Sequence, residues 1–195
     1  MEINRRAVLG AVGLAAAASV APLHAATKRR PNIVLIVADD LGWGDLGCYG
    51  SPFIKTPHID ALARRGVRMT DFYASANVCT PSRAGMLTGR YPIRTGLAHE
   101  VIAVKDSKGL ALSEVTIAEM LHPDYATMLA GKWHLAGSDQ ADWPLQRGFV
   151  RYYGCLHGAT HYFQPFGERI MYDGNTPDPT PESTTDRKFY TTDAF

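Results

Sequence analysis

Three short stretches of this chain set reactive side chains at spacings that chemistry can use. The first is Cys79-Thr80-Pro81-Ser82-Arg83, which runs on through Ala84-Gly85-Met86-Leu87-Thr88-Gly89-Arg90. A Thr-Pro pair predicts a helix start, because proline's fixed φ suits the first turn and its missing N–H is not needed there. Cys79 then lies at a helix N-terminus, where free amides and the positive dipole end favour an anion. Arg83 follows one turn later over the same face, so its guanidinium can reach what Cys79 becomes. Without its neighbours, Cys79 reads as readily as a buried structural thiol or half of a disulfide.

The second stretch is Ala38-Asp39-Asp40-Leu41-Gly42-Trp43-Gly44-Asp45, directly after an apolar run. Adjacent carboxylates at the carboxyl end of a strand repel unless a cation neutralises them, and oxygen ligands suit a hard ion such as calcium or magnesium. Taken alone, the pair is equally a turn with solvated aspartates. The third is Gly131-Lys132-Trp133-His134-Leu135. In an extended segment Lys132 and His134 point to one side, where a cation and an imidazole can hold an anion and protonate a leaving group. An isolated pair of this kind is also compatible with a surface lysine beside a satisfied histidine. Further on, His157 and His161 are four apart within Gly154-Cys155-Leu156-His157-Gly158-Ala159-Thr160-His161-Tyr162-Phe163. Nothing nearby completes a zinc set, so they read as pocket or packing residues.

The elements that must position these residues alternate in type. The unbroken run Asn32-Ile33-Val34-Leu35-Ile36-Val37-Ala38 predicts a strand buried on both faces of a parallel sheet. Thr56-Pro57 predicts a helix through Arg65 stopped by Gly66, and Val67 to Tyr73 a short second strand. The helix at Thr80-Pro81 is expected to end near Gly89. Ser113-Glu114 opens another that ends near His122, and Tyr125 to Ala130 reads as a third strand. This alternation predicts α/β layers. Residues 173–186 have loop composition, and the chain is expected to be cut rather than finished at Phe195.

Composition narrows the function classes. The chain has 195 residues, 46% hydrophobic, with 20 Lys and Arg against 19 Asp and Glu, which is globular rather than disordered. A net charge of +1 gives no electrostatic argument for a nucleic-acid partner. Arg5-Arg6, the apolar run Ala7 to Ala21 and the small residues at Ala25-Ala26 predict an export signal over residues 1–25, twin-arginine in style. The run falls short of the roughly 20 residues of a membrane span. A periplasmic or secreted protein is therefore expected. The three cysteines cannot all pair within one chain. Cys48 and Cys155 read as structural, with a disulfide between them as one pairing the count allows.

The long string from Cys79 to Arg90 resembles the signature of type I sulfatases, in which the cysteine is oxidised after translation to formylglycine. Ala38 to Asp45 resembles the family's metal-binding segment, and Gly131 to Leu135 its lysine–histidine motif, although Ala136 stands before Gly137 where the family has Leu-Gly. The resemblance runs from about Pro31 onward, so residues 31–195 are expected to be the N-terminal part of a sulfatase catalytic domain. It implies an alkaline-phosphatase-like α/β sandwich with a mostly parallel sheet. It further implies sulfate-ester hydrolysis, with a divalent metal (calcium by precedent, magnesium as the other candidate) held by Asp39, Asp40 and the modified Cys79. Arg83 would stabilise the hydrated formylglycine that attacks sulfur, and Lys132 and His134 would bind the sulfate. The implied partners are a small-molecule or carbohydrate sulfate ester and a formylglycine-generating maturation enzyme. The rival readings are a phosphonate or phosphate ester hydrolase of the same superfamily and a non-catalytic, truncated exported module. By this reading the fragment alone is inactive, because the family's remaining metal and sulfate ligands fall beyond residue 195.

Overall fold

The structure, a computed structural model, describes residues 30–165, 167–178 and 189–195, so the expected export segment 1–25 lies outside the described residues. The chain divides into two compact units, Met1–Asp40 and Leu41–Phe195.

In the first unit the run from Ile33 to Val37 is not a strand. Its backbone joins no ladder, and Val34 and Ile36 are 80% and 86% exposed. A β-branched run becomes a buried strand only where a neighbour takes its N–H and C=O groups, and no described strand does so here. The unit closes on a turn at Asp39-Asp40, where Asp40 adopts φ 57°, a left-handed conformation that aspartate tolerates better than most residues.

The second unit carries four helices and one sheet among its described residues. Helix α1, Pro57–Arg65, starts and stops as the sequence predicts, with proline in its first turn and Gly66 after it. Thr56 does not cap the helix with its side chain. Its hydroxyl instead donates to Asp60 at 2.8 Å and accepts from the Gly47 amide at 2.9 Å, tying the preceding loop to the helix. Val67 to Tyr73 is exposed and forms no strand. Its backbone is engaged by side chains rather than by a ladder, as where the Tyr49 hydroxyl donates to the Met69 carbonyl at 2.7 Å.

Helix α2, Cys79–Thr88, begins two residues earlier than Thr80-Pro81 predicts, and ends on Gly89 at φ 66°. Pro81 is third in the helix, still among the positions whose N–H has no partner within the helix, so it is tolerated. Helix α3, Ile117–Leu121, starts later than expected. Thr116 is its cap: the Thr116 hydroxyl accepts from the Glu119 amide at 3.1 Å and the Glu119 carboxylate from the Thr116 amide at 2.6 Å. Glu114 is occupied elsewhere, accepting from Arg90 at 2.7 Å.

Strand β1, Met128–Ala130, pairs in parallel with β2, Arg151–Gly154. Strand β2 pairs antiparallel with β3, Met171–Asp173, and β3 with β4, Thr176–Asp178. The sheet is thus mixed rather than mostly parallel among the described strands, in the order β1-β2-β3-β4. The β3–β4 hairpin turns on Gly174-Asn175, with Gly174 at φ 59°, where the composition predicts only loop. A last short helix, α4, covers Thr191–Ala194.

The core gathers Ala84 and Leu87 of α2 with Leu110, Trp133, Leu135, Phe149, Tyr152 and Leu156. Arg147 is buried among them at 1% exposure and donates to the Leu110 carbonyl at 2.9 Å, to the Glu114 carbonyl, and to the Glu119 carboxylate at 3.3 Å. One guanidinium thereby satisfies the backbone of the loop leading into α3. No helix among the described residues is long and apolar enough to cross a membrane.

Candidate functional site

The register of β1 and β2 continues past the strands and fixes the Lys-Trp-His segment. Beyond β1, the Gly131 amide donates to the Tyr153 carbonyl at 2.8 Å, Trp133 to Cys155 at 3.0 Å and His134 to Leu156 at 2.9 Å. Trp133 is core: its ring packs edge-on to Phe149 at 5.9 Å and its indole N–H donates to the Asp142 carbonyl at 3.0 Å. The segment is not uniformly extended, because Gly131 adopts φ 106° and His134 φ 56°. The alternation argument that puts Lys132 and His134 on one side therefore does not carry through His134. A non-glycine residue held at such a φ is locally strained and persists only where its surroundings impose it.

Those surroundings are specific. The His134 ring Nε2 donates to the Ile102 carbonyl at 3.1 Å, which puts the proton of that bond on Nε2. Thr80, the second residue of α2, donates from its buried hydroxyl to the His134 carbonyl at 3.0 Å and accepts from the Ile102 amide at 3.1 Å. Both backbone polar groups of residue Ile102 are thus gripped, its N–H by Thr80 and its carbonyl by His134. Gly158 closes the other side of the ring. A Cβ at position 158 would stand 2.5 Å from the His134 Cε1 and 2.7 Å from its Nε2, so only glycine fits there without moving the imidazole.

The structure brings Arg83 to the same segment. Its Nη1 donates to the Lys132 carbonyl at 2.6 Å. Behind it lies Tyr152, wholly buried on β2. Burial raises its phenol far above the ordinary range, and the nearby Arg83 charge offsets part of that rise. Cys79 is half-buried and is the first residue of α2, with an extended Val78 as N-cap that supplies no side-chain bond. The terminus is left to whatever occupies it. Cys79, Arg83, Lys132 and His134 therefore belong to one cross-bonded unit of helix end and strand extension. Asp39 and Asp40 lie in the other unit, exposed, as its last two residues.

All three cysteines are free thiols, so the Cys48–Cys155 pairing does not occur. Cys155 is buried, and its carbonyl is held by Trp133. His161 accepts from the Gln164 amide at 3.0 Å, a loop-closing role. Sequence reasoning missed Ile102, Gly158 and the part played by Thr80. Thr80 sits inside the signature, but its partners are distant in sequence. Gly158 opens the run to Phe163, which resembles a sulfatase stretch on the wall of the site, but its place against the His134 ring is not legible there; nothing in the sequence around Ile102 marks that residue.

The sulfatase family model matches residues 31–190. Over 131 residues the chain is 53% identical to arylsulfatase A of Homo sapiens, covering 66% of this chain and 26% of that protein. Over 168 residues it is 48% identical to steryl-sulfatase of Mus musculus, covering 76% and 27%. The solved structure of Ps i-CgsB in complex with k-i-k-neocarrahexaose superposes with a TM-score of 0.75 at 33% identity, over 85% of this chain and 39% of that one. PsFucS1 sulfatase from Pseudoalteromonas sp. gives 0.59 at 38% identity, over 68% and 27%. The chain spans about a quarter of the length of these curated relatives. The fold is the alkaline-phosphatase-like α/β fold of these neighbours, and the chain belongs to the sulfatase family.

Proposed function

We propose that the full-length protein carrying this chain is an exported sulfatase that hydrolyses sulfate esters at a centre built on Cys79. The observation that carries this reading is Cys79 at the open N-terminus of α2 with Arg83 one turn on, its guanidinium fastened to the Lys132 carbonyl. Cys79, oxidised by a maturation enzyme with dioxygen to formylglycine and then hydrated, presents a geminal diol. One diol oxygen attacks sulfur as the alcohol leaves, and the second hydroxyl then expels sulfate and regenerates the aldehyde. Arg83, whose own position is fixed by that bond, holds negative charge beside residue 79. Lys132 adds an ammonium that neutralises the sulfate oxygens as charge develops on them. His134 orients the loop beyond it through the Nε2 bond to Ile102, so its role toward the sulfate falls to the Nδ1 edge of the ring.

Asp39 and Asp40 suit a divalent cation in kind, because adjacent carboxylates in a turn give hard oxygen donors to calcium or magnesium. Among the described residues no group of three or more His, Cys, Asp or Glu side chains gathers, so the pair accounts for part of a shell. Such a cation, when bound, supplies positive charge that stabilises the anionic form of the reaction. Relatives named arylsulfatase and steryl-sulfatase support a sulfate-ester substrate, and a neighbour solved in complex with k-i-k-neocarrahexaose supports a carbohydrate among the candidates. Residues 1–25 support a periplasmic or secreted location.

The test is direct. Mass spectrometry of the peptide containing Cys79, from full-length protein made with a maturation enzyme, should find an aldehyde in place of the thiol. Cys79→Ala should lose aryl-sulfate hydrolysis entirely while keeping its circular dichroism, since the covalent route starts at that residue. An unmodified thiol together with turnover by folded Cys79→Ala protein would overturn the proposal.

A further inference from the structure

Strand β2 buries a hydroxyl that the fold itself does not use. Tyr152 lies on β2, between β1 and β3, and is fixed from both sides. It stands opposite Leu129 in the parallel pairing, and its carbonyl accepts from the Gly174 amide at 2.8 Å. The ring belongs to the same core as Ala84, Leu87 and Trp133 and is wholly buried. Yet among the described residues no group lies within hydrogen-bonding distance of the phenol oxygen. A buried hydroxyl that makes no bond costs stability, and phenylalanine would fill the same space without that cost. Packing explains the ring and leaves the hydroxyl unexplained.

The groups that face the oxygen supply a reason. They are the Arg83 guanidinium, the Cys155 thiol and the Tyr172 phenol. Arg83 is the cation among them, and its charge is permanent. It directly precedes Ala84, the α2 residue in the core that Tyr152 shares, and its Nη1 is anchored to the Lys132 carbonyl at 2.6 Å. The phenol oxygen gives that charge a polar group on the core side, where phenylalanine would give hydrocarbon. In surroundings of low dielectric, a hydroxyl dipole with its oxygen turned toward a cation counts for far more than in water, and it needs no direct contact to act. A hydroxyl whose hydrogen is committed to no acceptor can take that orientation.

We infer that Tyr152 is a positioning residue for the reaction: its hydroxyl steadies the Arg83 guanidinium from the core side, so that the charge stays directed at residue 79 while negative charge develops there. The inference rests on the sulfatase reading above and adds a residue to its site. Tyr152 acts through Arg83 and not on the sulfate itself. Its hydroxyl is kept at a loss to the resting fold because it counts in the transition state.

The experiment compares Tyr152→Phe with Tyr153→Phe in the full-length, matured protein, with turnover of 4-nitrophenyl sulfate counted per aldehyde found by mass spectrometry. Tyr152→Phe should lower kcat by about tenfold and change KM by less than about twofold, because the lost interaction matters most in the transition state. Its urea midpoint should equal or exceed that of the unaltered protein, since no bond is given up. Tyr153→Phe, which gives up the bond to Asp178, should do the reverse and lower the urea midpoint with kcat unchanged. A merely structural tyrosine cannot produce that opposition. An unchanged kcat in Tyr152→Phe overturns the inference, as does a fall in kcat accompanied by a lower urea midpoint or matched by the Tyr153 variant. In each of these cases the sulfatase reading stands. Absence of turnover by the unaltered, matured protein overturns that reading and the inference together.

Discussion

Helix α2, with Ala84, Met86 and Leu87 among polar residues, is far less apolar than the run from Ile33 to Val37, yet it is the helix that buries apolar side chains. In α2, Ala84 is wholly buried and Leu87 7% exposed, whereas in the run Ile36 is 86% exposed. Hydrophobicity does not explain the difference. What separates the two is the fate of the polar groups beside them. Beyond its first turn, helix α2 satisfies its backbone internally and adds side-chain bonds from Thr80 and Arg83 to a distant segment, while the extended run has no described partner for its N–H and C=O groups. Burial follows where the polar accounting closes.

That comparison breaks most severely at Arg147. Replacing it with methionine keeps apolar bulk but strands the carbonyls of Leu110 and Glu114 and takes the ion pair from Glu119, which keeps only its bond from the Thr116 amide. Chemical denaturation of the 195-residue chain should show a loss of about 3 kcal/mol or more, in line with breaking one side of a buried network. Ile36→Ser in the exposed run should move stability by less than about 0.5 kcal/mol. Equal losses in the two variants would mean that the contrast is wrong.

A smaller effect should come from Thr80→Val, which preserves shape while removing both bonds of the buried hydroxyl. The Ile102 amide and the His134 carbonyl lose that partner, and a cost of about 2 kcal/mol is expected from the same measurement. A proton spectrum should also show the His134 imidazole resonances shifting. A silent Val variant would mean that the bond to Ile102 and the close approach of Gly158 position the ring without Thr80.

The smallest effect concerns alkaline pH and the sheet. Tyr153 donates to Asp178 at 2.8 Å, and burial, with that bond adding to it, pushes its phenol up to about 12 from the ordinary 10.0. A phenol raised on folding stabilises the fold fully below pH 10 and loses that contribution as pH rises through 12, because the unfolded chain then releases the proton first. Stability should therefore fall between pH 10 and 12, and Tyr153→Phe should make that fall shallower while costing about 1 kcal/mol or less at neutral pH. An unchanged slope in the Phe variant would assign the alkaline loss to the buried Tyr152 and the half-buried Tyr172, whose phenols burial also raises.

Local signals in the sequence proved dependable where the physics is local. Pro57 and Gly66 bound α1, Gly89 ends α2, and the motif from Cys79 to Arg83 predicts the helix end that the structure contains. Signals failed where the outcome depends on a partner. Ile33 to Val37 and Val67 to Tyr73 have strand composition without a ladder, and Glu114 was drawn away from a helix start by Arg90. The same limit hid Ile102 and Gly158. Neither carries a reactive group, and their importance arises only when residues some thirty positions apart meet at the His134 ring.

The bonds that lock α2 also set when it can be locked. Thr80 reaches across 54 residues to His134, and Arg83 across 49 to Lys132. A ten-residue helix is marginal by itself in water, and closing a loop of that span costs roughly 3–4 kcal/mol of chain entropy before any contact repays it. During synthesis, the end of α2 that presents Cys79 therefore stays a loose peptide until residue 134 has emerged. The geometry around the cysteine is among the last features of this region to acquire its final form.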